Sequence, residues 1–280
     1  MSVDSLRARI ATLDSEIELQ KRLLRRLEND KSLAQQQLNA ALDPMARLPL
    51  EISSEIFFQS LSMRPSGEQD VPTVLLRICH AWTDIALAAP RLWTTVGIHF
   101  PCGDHFAEVL PIWFQQAGNF PLSVSISLRG HSINWNHRVS DILWRHGGQL
   151  RHLEILDDDD IAPTDKAIDL FGDITSVSLP LLETLTIRCR HEQRIYHTSQ
   201  IFDLLHAAPN IADVIFDNMR VVEDSGAQML VVPTLRRLTF GGPTTYTDDF
   251  ILHFLALPSL ETLSLPLSYI SIQELAVFVQ

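Results

Sequence analysis

The sequence predicts an α/β protein in three parts: a long N-terminal helix, three short helices, and an irregular solenoid of strand and helix repeats whose strands form a parallel sheet. Three observations carry this prediction. Residues 1–42 hold apolar side chains at alternating spacings of four and three, with no Gly or Pro. Residues 44–93 hold short helical periods punctuated by proline. From residue 94 to residue 280, short alternating segments recur every 24 to 32 residues.

In the first part, Leu6, Ile10, Leu13, Ile17, Leu24, Leu27, Ala34 and Leu38 form a coiled-coil-like seam, and polar Gln20 and Lys31 fill its two remaining positions. One continuous helix over 1–42 is expected, about 55 Å long at ~1.5 Å per residue. Its 13 charges fall mostly off the seam, as on a solvated helix surface. The seam can pack back on the chain, or it can meet a coiled-coil partner or a second copy in a homodimer. Gln20 and Lys31 weaken such a pairing while defining its register.

Asp43-Pro44 ends that helix, because Pro has no N–H to donate and Asp favours a cap. Pro49 suits a first helical turn, and Leu50, Ile52, Ile56, Phe57 and Leu61 follow at helical spacing. After the polar break SMRPSGEQD, a second period runs through Val74, Leu75, Ile78, Cys79, Trp82, Ile85 and Ala86, and Pro90 marks its end. Three short helices in so few residues, apolar on more than one face, carry more apolar surface than they can bury among themselves.

The residues LP-x-EI-x-x-x-IF-x-x-L, a spacer, R-I-C-x-x-W-x-x-I-A and P-x-LW resemble an F-box over residues 48–93. The matching positions are Leu48, Pro49, Glu51, Ile52, Ile56, Phe57, Leu61, Leu76, Cys79, Trp82, Ile85, Pro90, Leu92 and Trp93. With the preceding seam helix and the P-R-L-W ending, the chain is similar to the large F-box family of mushroom-forming fungi. Its spacer between Leu61 and Val74 is longer and more polar than in the compact form of the motif, and a surface loop absorbs such length at little cost. The resemblance implies that Leu48, Pro49, Ile52, Ile56, Phe57, Leu61, Leu76, Cys79 and Trp82 bind a Skp adaptor and, through it, a cullin.

The third part is a repeat. Alternating segments centre on Val96, Val124, Leu153, Leu185, Val214, Leu238 and Leu263, at spacings of 28, 29, 32, 29, 24 and 25. Between them DHFAEVLPIWFQQ, SDILWRH, KAIDLFG, SQIFDLLHAAP and TDDFILHFLALP have helical spacing. One strand and one helix per repeat, each burying its apolar face only by stacking on its neighbours, is the signature of a leucine-rich-repeat-like solenoid. The position where such repeats commonly hold an Asn ladder carries Asp158, Arg190, Met219, Pro243 and Ser268 instead, so an irregular solenoid is expected. Strand alternation puts His152, Glu154, Thr184, Thr186, Arg188, Asp213, Asp217, Arg237, Thr239, Thr262 and Ser264 on the face opposite the core, as candidate contacts for a protein substrate. Ser271 and Glu274 have capping-box spacing for a last helix near Ile272, which would leave the solenoid incomplete at Gln280.

Composition limits the partners. The formal charge is −12, split as +1 over 1–42, −2 over 43–149 and −11 over 150–280, which argues against nucleic acid and anionic membranes. Cys79, Cys102 and Cys189 are too scattered for a disulfide framework, and no N-x-S/T site occurs, which fits the cytoplasm or nucleus. No apolar core follows the first charges as in a signal peptide, and the longest charge-free stretch, 109–128, is interrupted by Pro111 and Pro121, so no membrane association is expected.

No phosphate loop, nucleophile elbow or zinc-protease helix occurs, and Gly241-Gly242-Pro243 reads as a turn. Cys102 with His105, and Cys189 with His191, offer two ligands each where a structural zinc site needs four, so neither metal nor cofactor is expected. The carboxylate run Asp157 to Asp160 reads as a solvated loop leaving the strand that ends at Leu156, on the rim of the polar face. The expectation is therefore a non-catalytic substrate receptor of a Skp-cullin-F-box ubiquitin ligase, acting in ubiquitin-dependent degradation. The alternative is an interaction scaffold that binds Skp or a coiled-coil partner without directing ubiquitination.

Overall fold

The computed structural model describes residues 3–60, 71–157, 168–172, 174, 177–190, 195–222, 228–241 and 249–265. It is a mixed α/β fold with seven α-helices among the described residues, the first of them long, and a seven-stranded parallel sheet. The chain divides into two compact units, one of residues 3–59 with 72–88 and one that includes everything described from 89 onward.

The first unit is helical. Helix α1 runs Val3–Leu42 without a break, as the 4-3 spacing predicts, and a 3-10 turn at Met45–Arg47 follows Pro44. Helix α2 spans Leu50–Ser60, α3 Val71–Leu75 and α4 His80–Leu87. The apolar period from Val74 to Ala86 is thus divided between two helices. Cys79, at φ −161° and ψ 169°, is extended backbone and starts α4. Phe57, 1% exposed, forms the core of this unit with Leu75, Ile85 and Ala86, and its ring lies 4.7 Å from that of Trp82.

The second unit begins with a 3-10 turn at Pro90–Trp93, followed by β1 (Thr95–Phe100), α5 (His105–Ala117), β2 (Leu122–Leu128), α6 (His137–Arg145) and β3 (Leu150–Asp157). It continues through β4 (Thr184–Cys189), β5 (Ile195–His197), α7 (Thr198–Ala207), β6 (Asp213–Asp217) and β7 (Arg220–Val222). The last described elements are β8 (Leu230–Val231), β9 (Arg237–Gly241), β10 (Leu255–Ala256) and β11 (Thr262–Ser264). The main sheet has the order β1-β2-β3-β4-β6-β9-β11, and every pairing is parallel.

All seven strands expected from the repeat are present, and their centres are register partners: Val96, Val124, Leu153, Leu185, Val214, Leu238 and Leu263 lie on one rung. Except for Leu263 in the last described strand, these centres are buried. The next inward rung is Ile98, Ile126, Ile155, Ile187, Phe216 and Phe240, also buried. Parallel β-strands covered on both faces read as unbroken apolar runs, whereas these alternate and leave one face polar. Tryptophans tie successive segments together, Trp113 Nε1 donating to Trp93 O and Trp144 Nε1 to Leu170 O, both at 2.8 Å.

Three expected helices are realised as α5, α6 and α7, and two are not. Within KAIDLFG, residues 168–172 form a turn in which Asp169 Oδ1 accepts the N–H groups of Phe171 at 3.2 Å and Gly172 at 2.9 Å, and Gly172 takes φ +59°. That local side-chain bond competes with helix. Within TDDFILHFLALP, a 3-10 helix covers Asp249–Phe254, and Leu255–Ala256 leaves it to pair with Leu230–Val231. The short parallel pairs β5 with β7 and β8 with β10 are additions that the repeat spacing does not predict. No helix among the described residues is long and apolar enough to cross a membrane. Leu61 and the spacer up to residue 70, most of the acidic run (Asp158 to Asp160), and the expected last helix near Ile272 lie outside the described residues.

Candidate functional site

The structure offers two surfaces, one on each unit. On the helical unit, α2 turns Ser53 and Phe57 inward, four residues apart on one face. Ile52 and Ile56, also four apart, point to solvent at 50% and 44% exposure, and Leu48, Pro49 and Leu50 are exposed before them. Val74, Ile78 and Leu87 are exposed apolar side chains of the same unit. Among the residues that the F-box resemblance nominates, Leu48, Pro49, Ile52 and Ile56 are therefore accessible. Leu76, Cys79 and Trp82 are half-buried, and Phe57 is packed away as core.

The residue that organises this unit is Asp43, to which the sequence assigns only a stop. Its carboxylate accepts the indole N–H of Trp82, Cys79 Sγ at 3.4 Å and the N–H of Met45 at 2.8 Å. One side chain thus joins the end of α1, the turn before α2 and the start of α4. Its signal is visible in the sequence only as an Asp at a helix stop, since Cys79 and Trp82 lie 36 and 39 residues away.

On the second unit, the polar face is built in rungs. The first is Thr95, Ser123, His152, Thr184, Asp213, Arg237 and Thr262, and the second is Gly97, Ser125, Glu154, Thr186, Ile215, Thr239 and Ser264. The third is His99, Ser127, Leu156, Arg188, Asp217 and Gly241. All eleven residues named from strand alternation lie on these rungs. Alternation also places Thr95, Ser123, Ser125 and Ser127 there, from β1 and β2, which the same period in TTVGIHF and LSVSISL could have nominated.

Cross-strand contacts order these side chains. Arg237 donates from Nε and Nη2 to Asp213 Oδ2 at 3.0 and 2.8 Å. Arg188 lies between Glu154 at 3.7 Å and Asp217 at 3.8 Å, while Ser125 Oγ donates to Glu154 Oε2 at 3.3 Å. Gly241 leaves room for Asp217, since a Cβ there would fall 2.6 Å from Asp217 Oδ1. His152 Nδ1 is 2.7 Å from Thr184 Oγ1, and burial, reinforced by the positive charge of Arg151, pushes its pKa down from the usual histidine value. Against Glu154, Asp213 and Asp217, the arginines on these rungs are Arg188 and Arg237.

A side-chain ladder does cross the repeats, four residues before the rung centres Leu153, Val214 and Leu238. Gln149 Nε2 donates to Gly118 O at 2.9 Å, Asn210 Nδ2 to Pro180 O at 2.7 Å and Thr234 Oγ1 to Pro209 O at 2.9 Å. The signal is the proline: Pro180, Pro209, Pro233 and Pro258 each precede a rung centre by five residues. Asp157 is 4% exposed and is the last residue of β3, which corrects its place in a solvated run. Cys189 is likewise buried in β4, and no cluster of three or more metal-ligating side chains occurs among the described residues. Compared with protein-family models, curated proteins and solved structures, the chain has no match.

Proposed function

We propose that the chain is a non-catalytic substrate receptor of a Skp-cullin-F-box ubiquitin ligase, with the helices of 48–93 docking on the Skp adaptor and the polar sheet face holding the protein to be ubiquitinated. The observation that carries the reading is the apolar surface of Leu48, Pro49, Leu50, Ile52 and Ile56, left in solvent by a unit whose core is Phe57 with Leu75, Ile85 and Ala86. Clustered exposed aliphatic side chains of this kind mark a protein-binding surface. All of them but Leu50 are positions for which the F-box resemblance implies adaptor contacts.

The sheet is read as an irregular leucine-rich-repeat-like solenoid. In support, strands of the main sheet follow one another in chain order, every pairing is parallel, and rung centres recur every 24 to 32 residues. The ladder of Gln149, Asn210 and Thr234 fills the role of the missing Asn ladder by satisfying carbonyls of the preceding repeat. A face with three carboxylates against two arginines, in a region of net charge −11, favours a basic substrate segment. Affinity purification of the tagged chain from a cell extract tests the reading. Recovery of the adaptor together with cullin supports a ligase receptor, adaptor without cullin supports a scaffold, and recovery of neither overturns both.

A further inference from the structure

We propose that α1 is the dimerisation element of this protein, forming a parallel, in-register, two-stranded coiled coil with α1 of a second copy. Every residue from Val3 to Leu38 with a described side chain is exposed, including the seam residues Val3, Leu6, Ile10, Leu13, Ile17, Leu24, Leu27 and Leu38, at 46% to 64% exposure. Forty helical residues therefore present an apolar stripe that the described chain does not cover. The stripe extends over more than four heptads, enough for a stable coiled coil.

The heptad register says what covers it. With Ile10 and Ile17 at a, the a positions are Val3, Ile10, Ile17, Leu24, Lys31 and Leu38, and the d positions are Leu6, Leu13, Gln20, Leu27, Ala34 and Ala41. From Val3 to Ile17, a is β-branched and d, at Leu6 and Leu13, is leucine, the pattern that selects a parallel pair of strands. The flanking charges agree with pairing to a second copy. In a parallel dimer each g residue faces the e residue five positions later on the other chain. Arg9 then meets Asp14, and Glu16 meets Lys21, so both charged pairs are of opposite sign and each occurs twice by symmetry.

Further along, Leu23 opposite Glu28 and Asp30 opposite Gln35 add no like-charge pair. Within one chain Lys21 bonds Glu18 at 2.9 Å, and it reaches the partner's Glu16 by a change of rotamer. Gln20 meets its own copy only when the helices are in register, so a slipped pairing would bury it against leucine, and Lys31 at a defines register at a cost in stability. Self-association through α1 is separate from capture of an adaptor by α2, and either can fail without the other.

Light scattering and sedimentation on the full chain test the proposal. The wild type is expected to be a dimer and Leu13→Asp a monomer with an undiminished folded sheet signal. Arg9→Glu places like charges at two symmetric sites and is expected to raise the dimer Kd about tenfold or more at low salt. Arg9→Glu with Asp14→Arg is expected to restore it, which a merely damaged helix would not do. Orientation is read from Ala34→Cys under oxidised glutathione. A parallel dimer brings both thiols to one level and links, whereas in an antiparallel one they lie roughly 36 Å apart at ~1.5 Å per residue. A monomeric wild type, a dimer untouched by Leu13→Asp, no rescue by the charge swap, or no link through Cys at 34 beyond that of wild type would each overturn the proposal.

Discussion

Replacing Leu185 by Ala and, separately, Thr186 by Ala probes the alternation on which the whole second unit rests. Leu185 is fully buried, at 0% exposure, on the central rung between Leu153 and Val214, and Thr186 is its neighbour on the polar face. Leu185→Ala removes three aliphatic groups, about 2.4 kcal/mol at ~0.8 kcal/mol each. A packed rung between two fixed strands cannot collapse into the space, and the cavity raises the cost toward about 3 to 5 kcal/mol. Thr186→Ala should stay within about 0.5 kcal/mol, as for a surface change away from any special feature. In urea unfolding followed by circular dichroism, a cost of about 3 kcal/mol divided by a slope of ~2 kcal/mol per molar lowers the midpoint by roughly 1.5 M for Leu185→Ala. Equal shifts for the two variants, or a larger one for Thr186→Ala, would mean that the strand is out of register by one residue and would refute the reasoning.

Three further outcomes follow. Asp43→Ala removes the acceptor shared by Trp82, Cys79 and Met45, and should destabilise the helical unit by about 2 kcal/mol with a change in tryptophan emission; unchanged emission and midpoint would show that the carboxylate does not join these segments. Gly147→Ala drives a Cβ to 2.6 Å from Ser178 O and should cost about 1 to 3 kcal/mol by overpacking, whereas Gly148→Ala enters open space and should be near neutral; thermal melts that rank the two equally would contradict the stacking of these repeats. His152 should titrate by proton NMR below the usual 6.5, and Arg151→Gln should raise its midpoint. Because folding favours the neutral ring, its contribution to stability is complete above that usual value and is lost as pH falls through the lowered one. A midpoint at or above 6.5 would rule this out.

The strands of the main sheet were legible because period-two alternation sets both the face and the register, and seven independently located centres fall on one rung. For the same reason the residues named for the polar face lie on it. Less was legible where one local interaction overrides a period. Asp169 caps a turn where KAIDLFG has helical spacing, and Cys79 divides one apolar period into two helices. Strands of two or three residues, such as Leu230–Val231, are too short to show any period. The ladder and the contacts of Asp43 with Cys79 and Trp82 join residues about 25 to 40 apart, and only the repeated prolines, two of which supply ladder acceptors, mark any of this in the sequence. A family motif lists core and surface positions together, and burial alone separates Phe57 from Ile56.

The central claim is that the exposed aliphatic surface before and on α2 binds a Skp adaptor. Calorimetric titration of purified adaptor into the full chain measures it directly, comparing wild type with Leu48→Ala combined with Pro49→Ala. Both side chains are exposed, so the helical signal should be retained while the Kd rises by at least about 30-fold, the loss of an interface anchor worth ~2 kcal/mol or more. Undiminished binding by the double variant, or no binding by the wild type, would contradict the assignment.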